Sequence, residues 1–290
     1  MTRFLDVRIA PVGGGLATTV GLCQATNINN YQSVDLNQFL GSIRGQHVLL
    51  VSHGFNVNRS DGIACLSNWE GLLQLPQASV FVGLLWPGDS IWAHGLDYGE
   101  EPKVANDAGV LLASFLNKYF GCAASISFAS HSLGARVILS TIMNLNIPVR
   151  RAVIMAGAID DNCLCTEFQC VASKVEKISV LSSAKDEVLS MAFPLGNFVA
   201  GIIAAGHPWW RAALGHTGPA QPLPANFTSP FEIPDNWQFE HGNYLQIDHV
   251  PAPVLPVPTE VPPNGSVEPA SGATGWQEAF SAAFVSTRFR

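Results

Sequence analysis

Ser125-Ile126-Ser127-Phe128-Ala129-Ser130-His131-Ser132-Leu133-Gly134-Ala135-Arg136-Val137 decides how the rest of the chain is read. Ile126 and Phe128 alternate with Ser125 and Ser127, as in a strand. The pattern breaks at Ser130-His131-Ser132-Leu133-Gly134, and beyond it Ala135, Ile138, Leu139 and Ile142 recur at helical spacing. Strand, sharp turn and helix form the context in which a serine can be raised at a strand end as a nucleophile. Small residues are needed two positions before and two after such a serine, where strand and helix nearly touch, and Ser130 and Gly134 stand there. The helix begins directly after Ser132, so its unpaired N–H groups and positive dipole end lie beside the hydroxyl. As a bare five-residue pattern, Ser-X-Ser-X-Gly also fits a plain strand-to-helix turn. The groups elsewhere in the chain must decide.

Working outward, His47–Ser52, Ser79–Leu85, Arg151–Gly157 and Lys177–Ser183 are apolar runs of strand length. They read as strands buried on both faces. Between them, Ser60-Asp61 can cap a helix through about Leu73, and Val104 to Phe120 carries a helical stripe. Arg3–Ala10 and Leu16–Cys23 read as two antiparallel strands around Gly13-Gly14-Gly15, and Asn27–Leu40 as a loop into a short helix. Strands alternating with helices predict an α/β fold with a mostly parallel, doubly wound sheet and helices on both faces. Ligands of such sheets bind outside the carboxyl ends of the strands, the edge where Trp86–Glu100 is expected as an irregular loop.

Further on, Met191–Ala205 is apolar but broken by Pro194, Gly196 and Gly201. It is expected as a buried helix near the site, with a mobile lid as the alternative. His207–Phe239 reads as loops with one short strand near Asn226, and His241-Gly242-Asn243-Tyr244-Leu245 heads a last helix. Seven prolines between Pro251 and Pro269 mark a polyproline-like linker. The expected organisation is a catalytic domain over 1–250, a linker over 251–275, and a short amphipathic helix over 276–290 carrying Trp276, Phe280 and Phe284. That last helix docks on its own domain or on a second subunit, which would make a homo-oligomer.

The 290 residues are 48% hydrophobic and 13% charged, which suits a large buried sheet rather than a disordered or fibrous chain. A net charge of −7 argues against nucleic acid or an anionic membrane as the main partner. Met1-Thr2-Arg3-Phe4-Leu5-Asp6 has no long apolar core and no cleavage pattern. A cytoplasmic chain with free, buried thiols is therefore expected, without stable membrane insertion. Cys163-Leu164-Cys165 with Cys170 lacks the paired Cys-X-X-Cys of zinc sites and adjoins no histidine. No phosphate-binding glycine loop is present either, so neither metal nor cofactor is expected.

Here the residues carry a resemblance. Ala129-Ser130-His131-Ser132-Leu133-Gly134 resembles the nucleophile elbow of the α/β-hydrolase superfamily, with Ser130 where the commoner pattern has glycine. Val48-Leu49-Leu50-Val51-Ser52-His53-Gly54-Phe55-Asn56 is similar to its strand and oxyanion loop. Leu84-Leu85-Trp86-Pro87-Gly88 resembles a turn found in a bacterial branch formerly grouped without a function. The resemblance runs from roughly Gln46 to Leu245 and is specific for fold and chemistry rather than for substrate.

The resemblance implies a serine, acid, histidine order along the chain. Ser132 comes first. Asp186 follows a strand in Ser182-Ser183-Ala184-Lys185-Asp186-Glu187-Val188-Leu189, similar to the superfamily's acid loop. It also fits a helix cap, and Asp160, after the preceding strand, is the rival acid. Of the histidines beyond Asp186, His241 has the favoured context and His216 is the alternative, while His207 and His249 also follow. The backbone amides of Phe55 and Leu133 are the implied oxyanion hole, with Gly54 allowing a tight turn. His131 reads as a packing or supporting residue. The implied activity is a serine esterase, lipase-like, that cleaves carboxylic esters with an apolar acyl group. The alternative is a non-catalytic module of the same fold that holds a ligand or partner.

Overall fold

The computed structural model describes residues 1–73, 75, 77–89, 101–191, 211–233, 235 and 239–244. Its strands are β1 (Thr2–Arg8), β2 (Leu16–Ala25), β3 (Gln32–Ser33), β4 (His47–Ser52), β5 (Ser79–Leu85), β6 (Ser125–His131), β7 (Val149–Met155), β8 (Val175–Ser182) and β9 (Phe227–Glu232). Among the described residues they form one sheet in the order β3-β2-β1-β5-β4-β6-β7-β8-β9. From β1 to β9 every neighbour is parallel, and β2 and β3 extend the β1 side antiparallel. Val48 to Ser52 of β4 and Ile126 to His131 of β6 are buried without interruption. Central strands with apolar residues on both faces must be covered on both. The carboxyl ends of seven strands therefore meet at one edge.

Among the described residues the longer helices beside the sheet are α1 (Leu36–Ile43), α2 (Arg59–Leu72), α3 (Glu101–Tyr119) and α4 (Gly134–Met143). Residues Gly134 to Ile142 of α4 are all buried. Its Ser140 hydroxyl donates to the Asn106 carbonyl of α3 at 2.9 Å, so α3 lies over α4.

Several local expectations shift. α2 is capped by Asn58, whose side chain accepts the Asp61 amide at 3.0 Å, not by Ser60-Asp61. Asp61 instead sits in the first turn, where a carboxylate favours the positive dipole end. α3 begins at Glu101, ahead of the expected Val104, with Pro102 in the first turn where a missing N–H costs nothing. β3 is only two residues long and has no sequence signature. The strand expected near Asn226 is β9, which carries Pro230 and is the last strand of the sheet among the described residues, an edge position where proline is tolerated.

All six cysteines are free. Cys23, Cys65 and Cys163 are buried as expected, but Cys122 and Cys165 are half-buried and Cys170 is exposed. No helix among the described residues is long and apolar enough to cross a membrane. The expectations for 90–100, for a helix or lid over Met191–Ala205 beyond Met191, for His207 and His249, and for the linker and C-terminal helix lie outside the described residues.

Candidate active site

Ser132 stands between β6 and α4 with φ of +53°. A non-glycine residue in this left-handed region carries roughly 1–3 kcal/mol of strain, which the surroundings must hold. Here the backbone does so: the Ser132 amide donates to Met155 at 3.0 Å, and its carbonyl accepts the amides of Ala135 at 3.1 Å and Ala158 at 3.2 Å. The end of β7 thus clamps the turn. A Cβ on Gly134 would fall 2.3 Å from the His53 carbonyl oxygen and 2.9 Å from Ser52 Oγ. The demand for a small residue there comes from the end of β4, the neighbouring strand, rather than from β6.

The Ser132 hydroxyl meets His241 Nε2 at 2.9 Å, and His241 Nδ1 donates to Asp186 Oδ2 at 2.8 Å. Asp186 is fully buried, while the His241 side chain keeps 17% exposure. The other Asp186 oxygen, Oδ1, accepts the Leu189 amide at 2.9 Å, where residues 187–191 begin a helix. Asp186 is thus both a cap and the partner of His241. Ser183 ties this loop to the histidine segment, its hydroxyl donating to the Phe239 carbonyl at 2.6 Å. His241 opens a 3-10 turn, His241–Tyr244. Buried Phe239 and Tyr244 pack edge to face, and Trp69 Nε1 donates to the Tyr244 carbonyl at 3.1 Å.

Both ring nitrogens of His241 are taken by Asp186 and Ser132, while the Asp160 backbone bridges Ala213. His216 lies in the short helix Leu214–Thr217 that follows Ala213, with its Nδ1 buried and unpaired. His131 Nε2 donates to the His241 carbonyl at 2.8 Å, and the two rings lie 4.7 Å apart. Burial, and then the neighbouring His241, hold the His131 pKa well below its ordinary value. His131 is therefore a neutral brace on the backbone that carries His241.

The loop after β4 is held from within. His53 Nδ1 donates to the Gly54 carbonyl at 2.9 Å, and its Nε2 accepts the Trp86 amide at 3.3 Å. Both bonds require the neutral tautomer with its proton on Nδ1. Because the Gly54–Phe55 peptide is planar and trans, holding the Gly54 oxygen fixes the opposite direction of the Phe55 N–H. Trp86 returns a bond from its indole N–H to the His53 carbonyl at 2.9 Å, and the two rings stack. The positive φ of the loop belongs to Asn56, at +56°, and its amide donates to the Gly88 carbonyl at 2.6 Å. Gly54 does not provide the left-handed turn. It is small because a Cβ there would lie 2.8 Å from Ser132 Cβ. Gly54→Ala is accordingly expected to push Ser132 aside and lower any turnover roughly 10²-fold with little loss of melting temperature. Kinetics beside a thermal melt would check the split.

His53 was legible in the sequence only as a flank of Gly54. Its side-chain role depends on Trp86, 33 residues on, which the β4–β5 pairing brings alongside. Burial lowers the His53 pKa from 6.5 to about 4. Between those values the unfolded chain binds a proton that the folded chain refuses. Stability therefore falls as pH drops from about 6.5 toward 4, by about 3 kcal/mol from this group. Urea unfolding at pH 7 and pH 4 should show the loss, and His53→Gln should show less of it.

No three His, Cys, Asp or Glu side chains among the described residues come together as metal ligands. What remains is a hydroxyl on a strained, buried serine, with an imidazole and a buried carboxylate behind it. The adjoining α4 N-terminus and the His53–Asn56 loop present backbone amides. Such an arrangement can do nucleophilic acyl chemistry.

Residues 29–213 match a family model described as alpha/beta hydrolase of unknown function (DUF900). No curated protein matches the chain. Among solved structures, a predicted CIB-like hydrolase of Thermoplasma acidophilum is 15% identical, with a TM-score of 0.38, covering 78% of this chain and 84% of its own. Carboxyl esterase 2 of the mycorrhizal fungus Tuber melanosporum is 11% identical, with a TM-score of 0.39 and coverages of 87% and 86%. The butyrate-bound esterase Est2 of Thermogutta terrifontis is 10% identical, with a TM-score of 0.36 and coverages of 70% and 76%.

Proposed function

The chain belongs to the family of α/β hydrolases of unknown function that it matches over residues 29–213, and from that premise we propose that it is a serine hydrolase cleaving carboxylic esters through an acyl-enzyme. The observation that carries the reading is the unbroken hydrogen-bonded chain from Asp186 through His241 to Ser132. Ser132 Oγ attacks the acyl carbon while His241 Nε2 takes its proton. The tetrahedral oxyanion accepts hydrogen bonds from the Phe55 and Leu133 amides. The intermediate collapses, and His241 returns the proton to the departing alcohol. Water then attacks the acyl-enzyme, giving a proton to His241, and Ser132 is released as its oxygen regains that proton.

Asp186 holds the imidazole with its proton on Nδ1 and balances the charge that forms on it. An apolar acyl group is the proposed substrate moiety, supported by the exposed Phe55 at the mouth of the oxyanion loop. The test is labelling with a fluorophosphonate, followed by turnover of p-nitrophenyl esters of increasing acyl length. One equivalent of label on Ser132, together with turnover, is the expected result. A folded protein that takes no label and cleaves no ester would overturn the reading.

A further inference from the structure

Arg8 closes β1, and its side chain has no exposed surface. All three guanidinium nitrogens are engaged. Nε donates to the Ala10 carbonyl at 3.2 Å, Nη1 to the Val57 carbonyl at 3.0 Å and the Trp86 carbonyl at 2.7 Å, and Nη2 pairs with Asp89. Asp89 Oδ2 also accepts the Gly13 amide at 2.9 Å, so the hairpin between β1 and β2 is tied in. Behind Arg8 stands a second pair. Asp6 Oδ1 accepts the Arg8 amide at 2.9 Å, and Asp6 Oδ2 faces Arg59 Nε at 2.7 Å and the Tyr31 hydroxyl at 2.9 Å.

The carbonyls that Arg8 grips are placed to matter. Val57 ends the loop that holds Gly54, Phe55 and Asn56. Trp86 and Asp89 bracket the turn whose Gly88 carbonyl accepts the Asn56 amide, and the Trp86 amide in turn bonds His53 Nε2. One buried cation therefore fastens both sides of the oxyanion loop. A buried ion pair is weak evidence of stability, because desolvation offsets much of its attraction. What a guanidinium adds is direction: a rigid planar fork can hold acceptors from separate segments at fixed angles, which an apolar side chain or an ammonium cannot.

Resting on the serine-hydrolase reading above, the geometry points to Arg8, held by Asp89, as a positioning residue for transition-state stabilisation. It locks the 86–89 turn against the 53–57 loop and so fixes the aim of the Phe55 amide. Losing that aim should weaken binding of the oxyanion and leave binding of the neutral ester nearly untouched.

The experiment compares the full-length wild type with Arg8→Lys and Asp89→Asn. Each is titrated with a fluorophosphonate so that kcat is counted per reactive serine. Inhibition by an alkyl trifluoromethyl ketone, whose adduct carries an oxyanion, is measured alongside. The expected result is a fall in kcat per titrated site of roughly 10- to 100-fold, with KM changed less than about threefold and the ketone's Ki weakened in parallel with kcat. Unchanged kcat per titrated site in a folded variant would overturn the proposal, since a purely structural Arg8 lowers only the number of active molecules. Should Arg8→Lys fail to fold, Asp89→Asn, which keeps the shape and an oxygen acceptor, decides by the same readout. A wild type that takes no label would instead overturn the hydrolase reading, and this proposal with it.

Discussion

Ser132→Ala is expected to reduce kcat for ester cleavage by about 10⁴-fold or more while leaving the fold intact. The hydroxyl removed bonds to His241 Nε2 at 2.9 Å, and the backbone bonds that hold the turn, to Met155, Ala135 and Ala158, involve no side-chain atom. Alanine keeps the Cβ against which Gly54 packs and adds no bulk, so the clamp from β7 survives. Melting by circular dichroism should match the wild type, and fluorophosphonate labelling should vanish. Turnover near the wild-type rate in the purified variant would move the nucleophile to another residue.

Asp186→Asn should be nearly as damaging near neutral pH, again by about 10⁴-fold, the size of the corresponding change in a serine-protease triad. The geometry says why shape alone does not suffice. Asp186 Oδ1 already accepts the Leu189 amide, so an asparagine there would keep its oxygen on that bond and turn its NH₂ toward His241 Nδ1. The imidazole would then carry its proton on Nε2 and could not accept the one from Ser132. Asp160→Asn, which leaves the backbone bridge to Ala213 in place, should retain most activity. Steady-state kinetics on both variants, with folding checked, tests the ranking. A severe loss in Asp160→Asn with an active Asp186→Asn would require a different acid.

The strands around the site were legible because a strand buried on both faces must be apolar throughout. His47–Ser52 and Ser79–Leu85 matched β4 and β5 to the residue. The two-residue β3 offered no run to read. The cap of α2 was misplaced because Asn58 and Ser60 are both good capping types two positions apart, and only the extended backbone of Asn58 settles which one caps. Gly54 was singled out for the wrong reason, since crowding against Ser132 comes from the neighbouring strand and leaves no trace in local spacing. Ser132, Asp186 and His241 were picked by an order along the chain. Their approach to within 2.9 Å, across separations of 109 and 55 residues, depends on the pairing of β6, β7 and β8. Arg8 carried no signal at all, because its partners come from three separate segments.

The left-handed backbone at Ser132 also limits which chemistry the turn could ever host. Threonine offers the same hydroxyl, but a β-branched side chain is strongly disfavoured at a φ of +53°. Its extra methyl would also crowd the space in which Ser132 Cβ already abuts the backbone at Gly54. An unbranched cysteine fits the same dihedral. The repertoire of exchange at this position is therefore sulfur for oxygen, with a secondary alcohol shut out by the main chain before reactivity is considered.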